Sequence, residues 1–500
     1  MEEKYTELKA ILAEVDDLQK ASSILSWDQQ ANMPSGGAEA RGYQLATISS
    51  IAHEKFTAEK VGKLIEDLEP WAAELDPDSN DVRLLKVTKR DYERSTRVPA
   101  AMVAEQAQLS AVAHEAWVEA RQKADFSIFQ PYLEKIVDWN RRYAALFAPY
   151  DHVYDPMLDV FEPGMKTVEV QAIFSAIRPK QAELIHAIAE KPQVEDAFLH
   201  QHFDKAKQMA FGREIVTALG YDWNRGAEGL VPHPFMTNLG FGDIRINNRV
   251  DEEFFNPYLF GAMHETGHAL YEQSMGKELA RTPLFGGASL GLHESQSRMY
   301  ENLVGRSKPF WEHYYPRLQE YFASQLGNVS VDEFYKGINK VEPSFIRVEA
   351  DEATYNMHIM LRLELEIALM DGSLEAKDVP EAWNSRMEEY LGITPPDDAE
   401  GCLQDVHWSM GLLGYFSTYA LGNLISLQLW EKIEAENPNI YDQIGAGNLA
   451  PLLAWLKENV HKHGAKFEPQ ELVQMVTGSK IDGGPYLAYL NKKFGQIYNL

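Results

Sequence analysis

Cysteine is nearly missing from this sequence. Its 500 residues hold one, Cys402. No disulfide can therefore form within the chain, and a reducing compartment, the cytoplasm, is the expectation. Positive charge is scarce as well. Lys and Arg number 47 against 75 Asp and Glu, a net charge of −28. Such a surface repels phosphate, which argues against nucleic acid as a partner. The opening residues, MEEKYTELKAILAEV, lack both a basic segment and an apolar core, so no secretory leader is expected there. Internal repeats, low-complexity tracts and long linkers are absent, and alternating strand-like runs are rare. One stretch, Val406 to Trp430, lacks Asp, Glu, Lys and Arg, and it is long enough to cross a bilayer. It also holds His407, Ser417, Thr418, Asn423, Ser426 and Gln428, and no basic cluster flanks it. A buried helix in a large core is the expectation, with no membrane partner.

What is present reads as helix. Tyr5, Leu8, Ile11, Leu12, Val15 and Leu18 recur at three- and four-residue spacing and form one apolar stripe. Similar spacing recurs around residues 100–146, 165–190, 203–219 and 310–326. Breakers punctuate these runs at Pro34–Gly37, Asp76–Ser79, Lys191-Pro192, Pro395-Pro396 and Gly483–Pro485. The best strand candidate is Asp243–Asn247, bounded by Gly240 and Gly242. These patterns predict one continuous, mostly α unit over residues 1–500, with a small β-sheet beside its site.

The site itself is announced by NPYLFGAMHETGHALYEQ, Asn256 to Gln273. Asn256 suits an N-cap, Pro257 the first helical position, and Gly276 a stop. Residues four apart share a helix face, so His264 and His268 point the same way. Two imidazoles at that spacing reach one Zn²⁺ at about 2.0–2.1 Å. Glu265 lies on the next edge, where it takes a proton from water without filling the coordination sphere. With 15 histidines, chance produces such a five-residue string only about a few per cent of the time.

A catalytic zinc needs a third protein ligand and one open position. The segment GLHESQSRMYENL, Gly291 to Leu303, supplies it from a second helix. Glu294, 26 positions past His268, is favoured by spacing. Glu301, Glu272 and Glu278 remain rivals, and His293 beside Glu294 reads as a packing residue.

HETGH and HESQS are followed by IRVEADEATYNMHIMLRLELE (Ile346–Glu366) and GCLQDVHW (Gly401–Trp408). Earlier come WDQQANMPSGGAEAR (Trp27–Arg41) and HPFMTNLGFGDIRINNR (His233–Arg249). In this order the motifs resemble those of the thermostable carboxypeptidase Taq family of metallocarboxypeptidases, over nearly the whole chain. One departure is visible: the family pattern D-x-R-x-T reads Asp243-x-Arg245-x-Asn247 here. The resemblance implies a helical saddle or clam with a deep active-site groove, usually a homodimer. It implies His264, His268 and Glu294 as ligands of one Zn²⁺ per chain, or of Co²⁺ or another divalent metal, and Glu265 as general base. It suggests release of single residues from peptide C-termini with broad specificity.

An enzyme that acts on C-termini must read a free carboxylate, and a guanidinium does so through paired hydrogen bonds. Arg347 and Arg245 are the candidates. For Arg347, the alternative is an intrahelical ion pair with Asp351. The developing oxyanion needs donors, for which His407 and Tyr415 are the candidates; the alternative is that they are satisfied groups in a core helix. Tyr355, His358 and Gln404 are weaker candidates. The expected chemistry is metal-assisted peptide hydrolysis, with a peptidyl-dipeptidase or oligoendopeptidase and a non-enzymatic binding protein as rival readings.

Overall fold

Helices begin and end where the breakers fall. The computed structural model describes residues 1–500, with twenty-one α-helices and three short strands. Pro34 and the turn Ser35–Gly37 separate two long helices, Glu2–Ala31 and Ala38–Phe56, which pack on one another. Along the first, Tyr5, Leu8, Leu12 and Val15 are buried, so the predicted stripe is the face that meets the core. A cluster of 114 buried apolar residues runs from Tyr5 to Tyr498.

The strands are β1 (Glu228–Leu230), β2 (Phe235–Asn238) and β3 (Ile244–Asn248). Their order is β1-β3-β2. β1 pairs with β3 in parallel and β2 with β3 antiparallel, Met236 facing Ile246. Asn247, where the family pattern carries Thr, ties this sheet to the N-terminal helix. Its Oδ1 accepts from Trp27 Nε1 at 2.9 Å and its Nδ2 donates to the Phe235 carbonyl at 3.0 Å. A threonine hydroxyl is too short for both bonds.

The sheet packs on the HETGH helix, Asn256–Gln273. That helix has no single apolar stripe because it is buried on most of its circumference. Its boundaries differ from the expected ones. Phe255 precedes it, and Asn256 and Pro257 are its first two residues; Ser274 ends it, while Gly276 leads into a separate short turn. Pro257 still sits among the first N–H groups, which have no helical partner, so the early start costs nothing.

The uncharged run divides into two parts. The helix Ser417–Glu436 is buried from Ser417 to Trp430 at every residue except Tyr419, and no helix of the structure is long and apolar enough to cross a membrane. Its polar side chains find partners inside the core. Asn423 donates to Asn356 Oδ1 at 2.7 Å, and Gln428 donates to Ser479 and to the Lys480 carbonyl. His407 and Tyr415 precede this helix, in a short turn and the coil after it, so they are not core-helix residues.

Candidate metal centre

Two glycines set the distances at the centre. The Glu294 helix, Leu290–Arg298, lies between the HETGH helix and Ser417–Glu436. A Cβ at Gly267 would sit 2.5 Å from the Gln296 carbonyl oxygen and 2.6 Å from Ser297 Cα. A Cβ at Gly422 would sit 2.6 Å from Glu294 Cβ and Cγ. Both contacts are closer than atoms tolerate, so only glycine lets the three helices approach this far.

That approach brings His264, His268 and Glu294 together, with one donor atom from each lying within 4.8 Å of the others. The Nε2 atoms of both histidines stand 3.5 Å from Glu294 Oε2. Two ligands about 2.1 Å from one tetrahedral centre are separated by about 3.4 Å. Two imidazole nitrogens and a carboxylate oxygen at these separations fit a divalent ion of the zinc type.

Each of the three donors is held from behind, as ligands of a metal are. His264 Nδ1 lies 2.9 Å from Glu301 Oε2. His268 Nδ1 lies 2.7 Å from His293 Nδ1, and His293 Nε2 lies 2.9 Å from Glu272 Oε1. Asn238 of β2 donates to the other oxygen of Glu272. Arg298 Nε donates to Glu294 Oε1 at 2.6 Å, and Ser297 Oγ to Glu294 Oε2 at 3.0 Å. The helix widens into a π turn at Met299–Val304, which carries Glu301 to His264. Thus Glu301 and Glu272, rival ligands by spacing, stand one layer out. His293 does more than pack. Glu278, in the turn Lys277–Leu279, is not among the grouped donors.

The charges are strongly coupled. Burial opposes protonation of His264, but Glu294, Glu301 and Glu265 outweigh it and raise the ring to about 9. Burial lowers His268 to about 4 against the pull of Glu294. Glu294 is held well below the carboxylate range: burial opposes this, and Arg298 and the two histidines overcome it. A bound cation's own charge favours the deprotonated form of both rings. Glu265, 5 % exposed, is raised by burial, lowered by His264 and raised again by Glu294, to about 7.

The chain belongs to the carboxypeptidase Taq family of metallopeptidases. The family model, Carboxypeptidase Taq (M32) metallopeptidase, matches residues 7–494. Thermostable carboxypeptidase 1 of Thermus thermophilus is 40% identical, with 99% of each chain covered. Carboxypeptidase 1 of Bacillus subtilis is 36% identical over 98% of each. Among solved structures, the M32 carboxypeptidase of Deinococcus radiodurans R1 superposes with a TM-score of 0.96 at 37% identity, covering 99% of this chain and 100% of that one. As a member of this family the protein is a peptide-bond hydrolase, and the family's chemistry implies a divalent metal.

On the Glu294 side of the metal centre, this M32 enzyme buries a cluster of charge. Arg347 is 5 % exposed and lies in the short turn Arg347–Glu349 rather than at the start of a helix. Its partner is Asp405, at 2.9 and 3.1 Å. Asp351, the partner considered from spacing, instead accepts from the Ala353 and Thr354 backbone. Asp405 also receives Arg362, at 2.7 Å from Nε. One buried carboxylate therefore faces two guanidiniums, an excess of one positive charge among these three groups. Arg347 further donates to Tyr355 Oη at 3.0 Å and lies 5.0 Å from the Tyr419 ring. Arg298 covers the other end of this link, 4.3 Å from the Tyr355 ring.

His407 and Tyr415 line the same cluster, their rings 5.1 Å apart. Burial lowers His407 to about 4, with Asp405 opposing, so its ring is neutral at pH 7. Burial raises Tyr415, which feels the charges of both Glu294 and Arg347, so it keeps its hydroxyl proton. Gln404 accepts from the Arg347 backbone N–H at 2.8 Å and fixes that turn. The ring of His358 is fully buried, with no hydrogen-bond partner on either nitrogen. Arg245 lies apart, on β3. Both of its bonds go to Asp243, at 2.8 and 2.7 Å, and it covers the Trp27 ring at 4.4 Å. Sequence reasoning passed over Asp405, Arg362, Arg298 and Tyr419. Asp405 and Arg362 lie inside quoted motifs, but nothing in their spacing pairs them.

A cavity of about 800 Å³ opens between the N-terminal helices and β2, lined in part by Trp27, His53, Thr237 and Phe285. The three candidate metal ligands do not line it.

Proposed function

We propose that the protein is a zinc-dependent carboxypeptidase that releases single amino acids from peptide C-termini with broad specificity. The observation that carries this reading is the buried excess of positive charge at Arg347, Arg362 and Asp405 beside the metal centre. A lone buried charge is costly, and a peptide's terminal carboxylate supplies the missing partner. A fork-shaped guanidinium suits that partner.

His264, His268 and Glu294 would hold the ion, one per chain. When bound, it supplies Lewis acidity toward water and the scissile carbonyl. Arg347 binds the terminal carboxylate and fixes which peptide bond is presented. Glu265 accepts a proton from the attacking water and later hands it to the leaving amine. His407 and Tyr415 donate to the oxygen on which negative charge develops. Arg245 supports the sheet through Asp243 and Trp27 and acts on substrate only indirectly. We read residues 1–500 as one catalytic domain, supported by the continuous core. A homodimer and a cytoplasmic setting follow from the family resemblance and the single buried Cys402.

The test is mass spectrometry of products from a plain peptide and its C-terminal amide, with and without a chelator. Stepwise loss of single C-terminal residues from the acid alone, abolished by the chelator, is expected. First cleavage at internal bonds would establish the oligopeptidase reading instead.

A further inference from the structure

The helix Tyr355–Asp371 aligns Tyr355, Arg362 and Glu366 at spacings of seven and four, on one face. The first two serve Arg347 and Asp405. The third, Glu366, is fully buried and contacts neither the metal centre nor the arginines. Its Oε1 accepts from Trp408 Nε1 at 2.8 Å, and its Oε2 from the Gly414 backbone N–H at 2.9 Å and from the Tyr154 hydroxyl at 2.5 Å. Trp408 follows His407, and Gly414 precedes Tyr415. One carboxylate thus grips the segment that carries both oxyanion donors, next to each of them.

The chain is built to allow this grip. Gly414 has φ +94°, and a Cβ there would lie 2.5 Å from the Met157 carbonyl oxygen, so its N–H reaches Glu366 only because it is glycine. From the far side, Phe161 packs edge-on against Tyr415, ring centres 5.1 Å apart. If filling space were the only task, an apolar residue would do it at less cost than a buried carboxylate. Tyr154, Gly414 and Trp408 each turn a donor toward Glu366. Burial raises it, Tyr154, Gly414 and Trp408 lower it, and the balance is about 7.

We infer that Glu366 is a positioning residue for hydrolysis: it fixes the His407–Tyr415 segment so that both donors face the reacting carbonyl. The inference rests on the roles given above to His407 and Tyr415.

Glu366→Gln keeps the shape and removes one acceptor oxygen, setting an amide N–H against a donor. The experiment measures kcat, KM, metal content and thermal midpoint for Glu366→Gln in the wild-type and Tyr415→Phe backgrounds, on an N-blocked dipeptide with a free C-terminus. In the wild-type background kcat falls by between about 10- and 100-fold, the scale of a small misplacement of catalytic groups, with metal content unchanged. In the Tyr415→Phe background the further fall is smaller, under about tenfold, because only the share carried by His407 remains. The loss in thermal midpoint is the same in both. Losses in kcat that multiply, or a folded, metal-loaded Glu366→Gln with wild-type kcat, overturn the inference and leave the reading of Tyr415 standing. Wild-type kcat in Tyr415→Phe alone overturns that reading, and the inference with it. If Glu366→Gln does not fold, Trp408→Phe takes its place. It removes one donor and keeps the edge-on ring contact with Trp383, at 6.1 Å. Its loss of about 2- to 10-fold, the scale of one hydrogen bond, shrinks in a His407→Ala background if the inference holds and persists in full if it does not.

Discussion

The candidate metal centre and the arginine cluster, which we propose serve one site, are assembled by different physics. His264 and His268 are neighbours because a helix turns every 3.6 residues, and Glu294 joins them because two glycines let helices touch. Arg347, Asp405 and Arg362 come from a turn, a coil and a helix, 58 and 43 positions apart in their pairings. The first arrangement is brought together by helix packing. The second is held by charge. The structural difference therefore implies a functional one: the metal centre should set the rate of chemistry, and the arginine cluster should select the substrate.

The largest effect should fall on the packed half. Glu265→Gln removes the base but no donor of the triad, so kcat drops by roughly 10²–10⁴-fold while elemental analysis still finds the metal. His264→Ala, by contrast, should leave the chain folded and the metal absent, because the core does not depend on that ring. Near wild-type turnover in Glu265→Gln would break the division at once, since the base would then lie elsewhere.

Next in size is the charged half. Truncating one partner of a buried charge pair costs about 2–5 kcal/mol, or roughly 30- to several-thousand-fold in kcat/KM. Arg347→Ala should show this loss on a free-acid peptide and little further loss on the matched amide. Its metal content should not change. A fall of equal size on acid and amide would mean that Arg347 only supports the fold.

A smaller effect sharpens the comparison inside the packed half. The chain His268–His293–Glu272 orients a ligand that the helix alone only brings near. His293→Phe keeps the packing against Tyr271, ring centres 5.1 Å apart, and cuts that chain. Metal affinity, read by competition with a chelator, should weaken by about 10- to 100-fold. Unchanged affinity would return His293 to the packing role its sequence context suggests.

What could be read in advance follows the same line. The grouping of His264 with His268 is legible because spacing along a helix is geometry. Glu294 was favoured because a second helix after a glycine-rich return has few ways to meet the first. The outer positions of Glu301 and Glu272 were not legible: a π turn shifts one, and a histidine stands in front of the other. Asp405 as partner of Arg347 was missed because the local choice, Asp351, satisfies the four-residue rule. That rule holds only in a helix, and Arg347 is not in one. The helix ends at Asn256 and Gly276 were misplaced by residues whose preferences tertiary packing overrode. Asn247 looked like a lost hydroxyl, yet its two bonds to Trp27 and Phe235 are visible only when the N-terminal helix lies on the sheet.

Arg245 tests whether motif membership or geometry is the better guide, and the smallest effect is expected there. It stands in a family motif, as Arg347 does. Its guanidinium, however, is already paired through Nε and Nη2 with Asp243, and its face is occupied by Trp27. Arg245 thus has no excess charge to offer a substrate. The pair is partly solvated, with side chains 25% and 39% exposed, and such pairs contribute about 0–1 kcal/mol. Arg245→Ala should therefore lower kcat/KM by no more than about fivefold. It should do so equally for acid and amide, because what it loosens is the sheet behind Glu265 and not a contact with the terminal carboxylate. The deciding measurement is kcat/KM on matched acid and amide peptides for wild type, Arg347→Ala and Arg245→Ala. If discrimination between the two peptides collapses in Arg245→Ala and survives in Arg347→Ala, the carboxylate is read on the sheet, and the excess charge at Asp405 has another purpose.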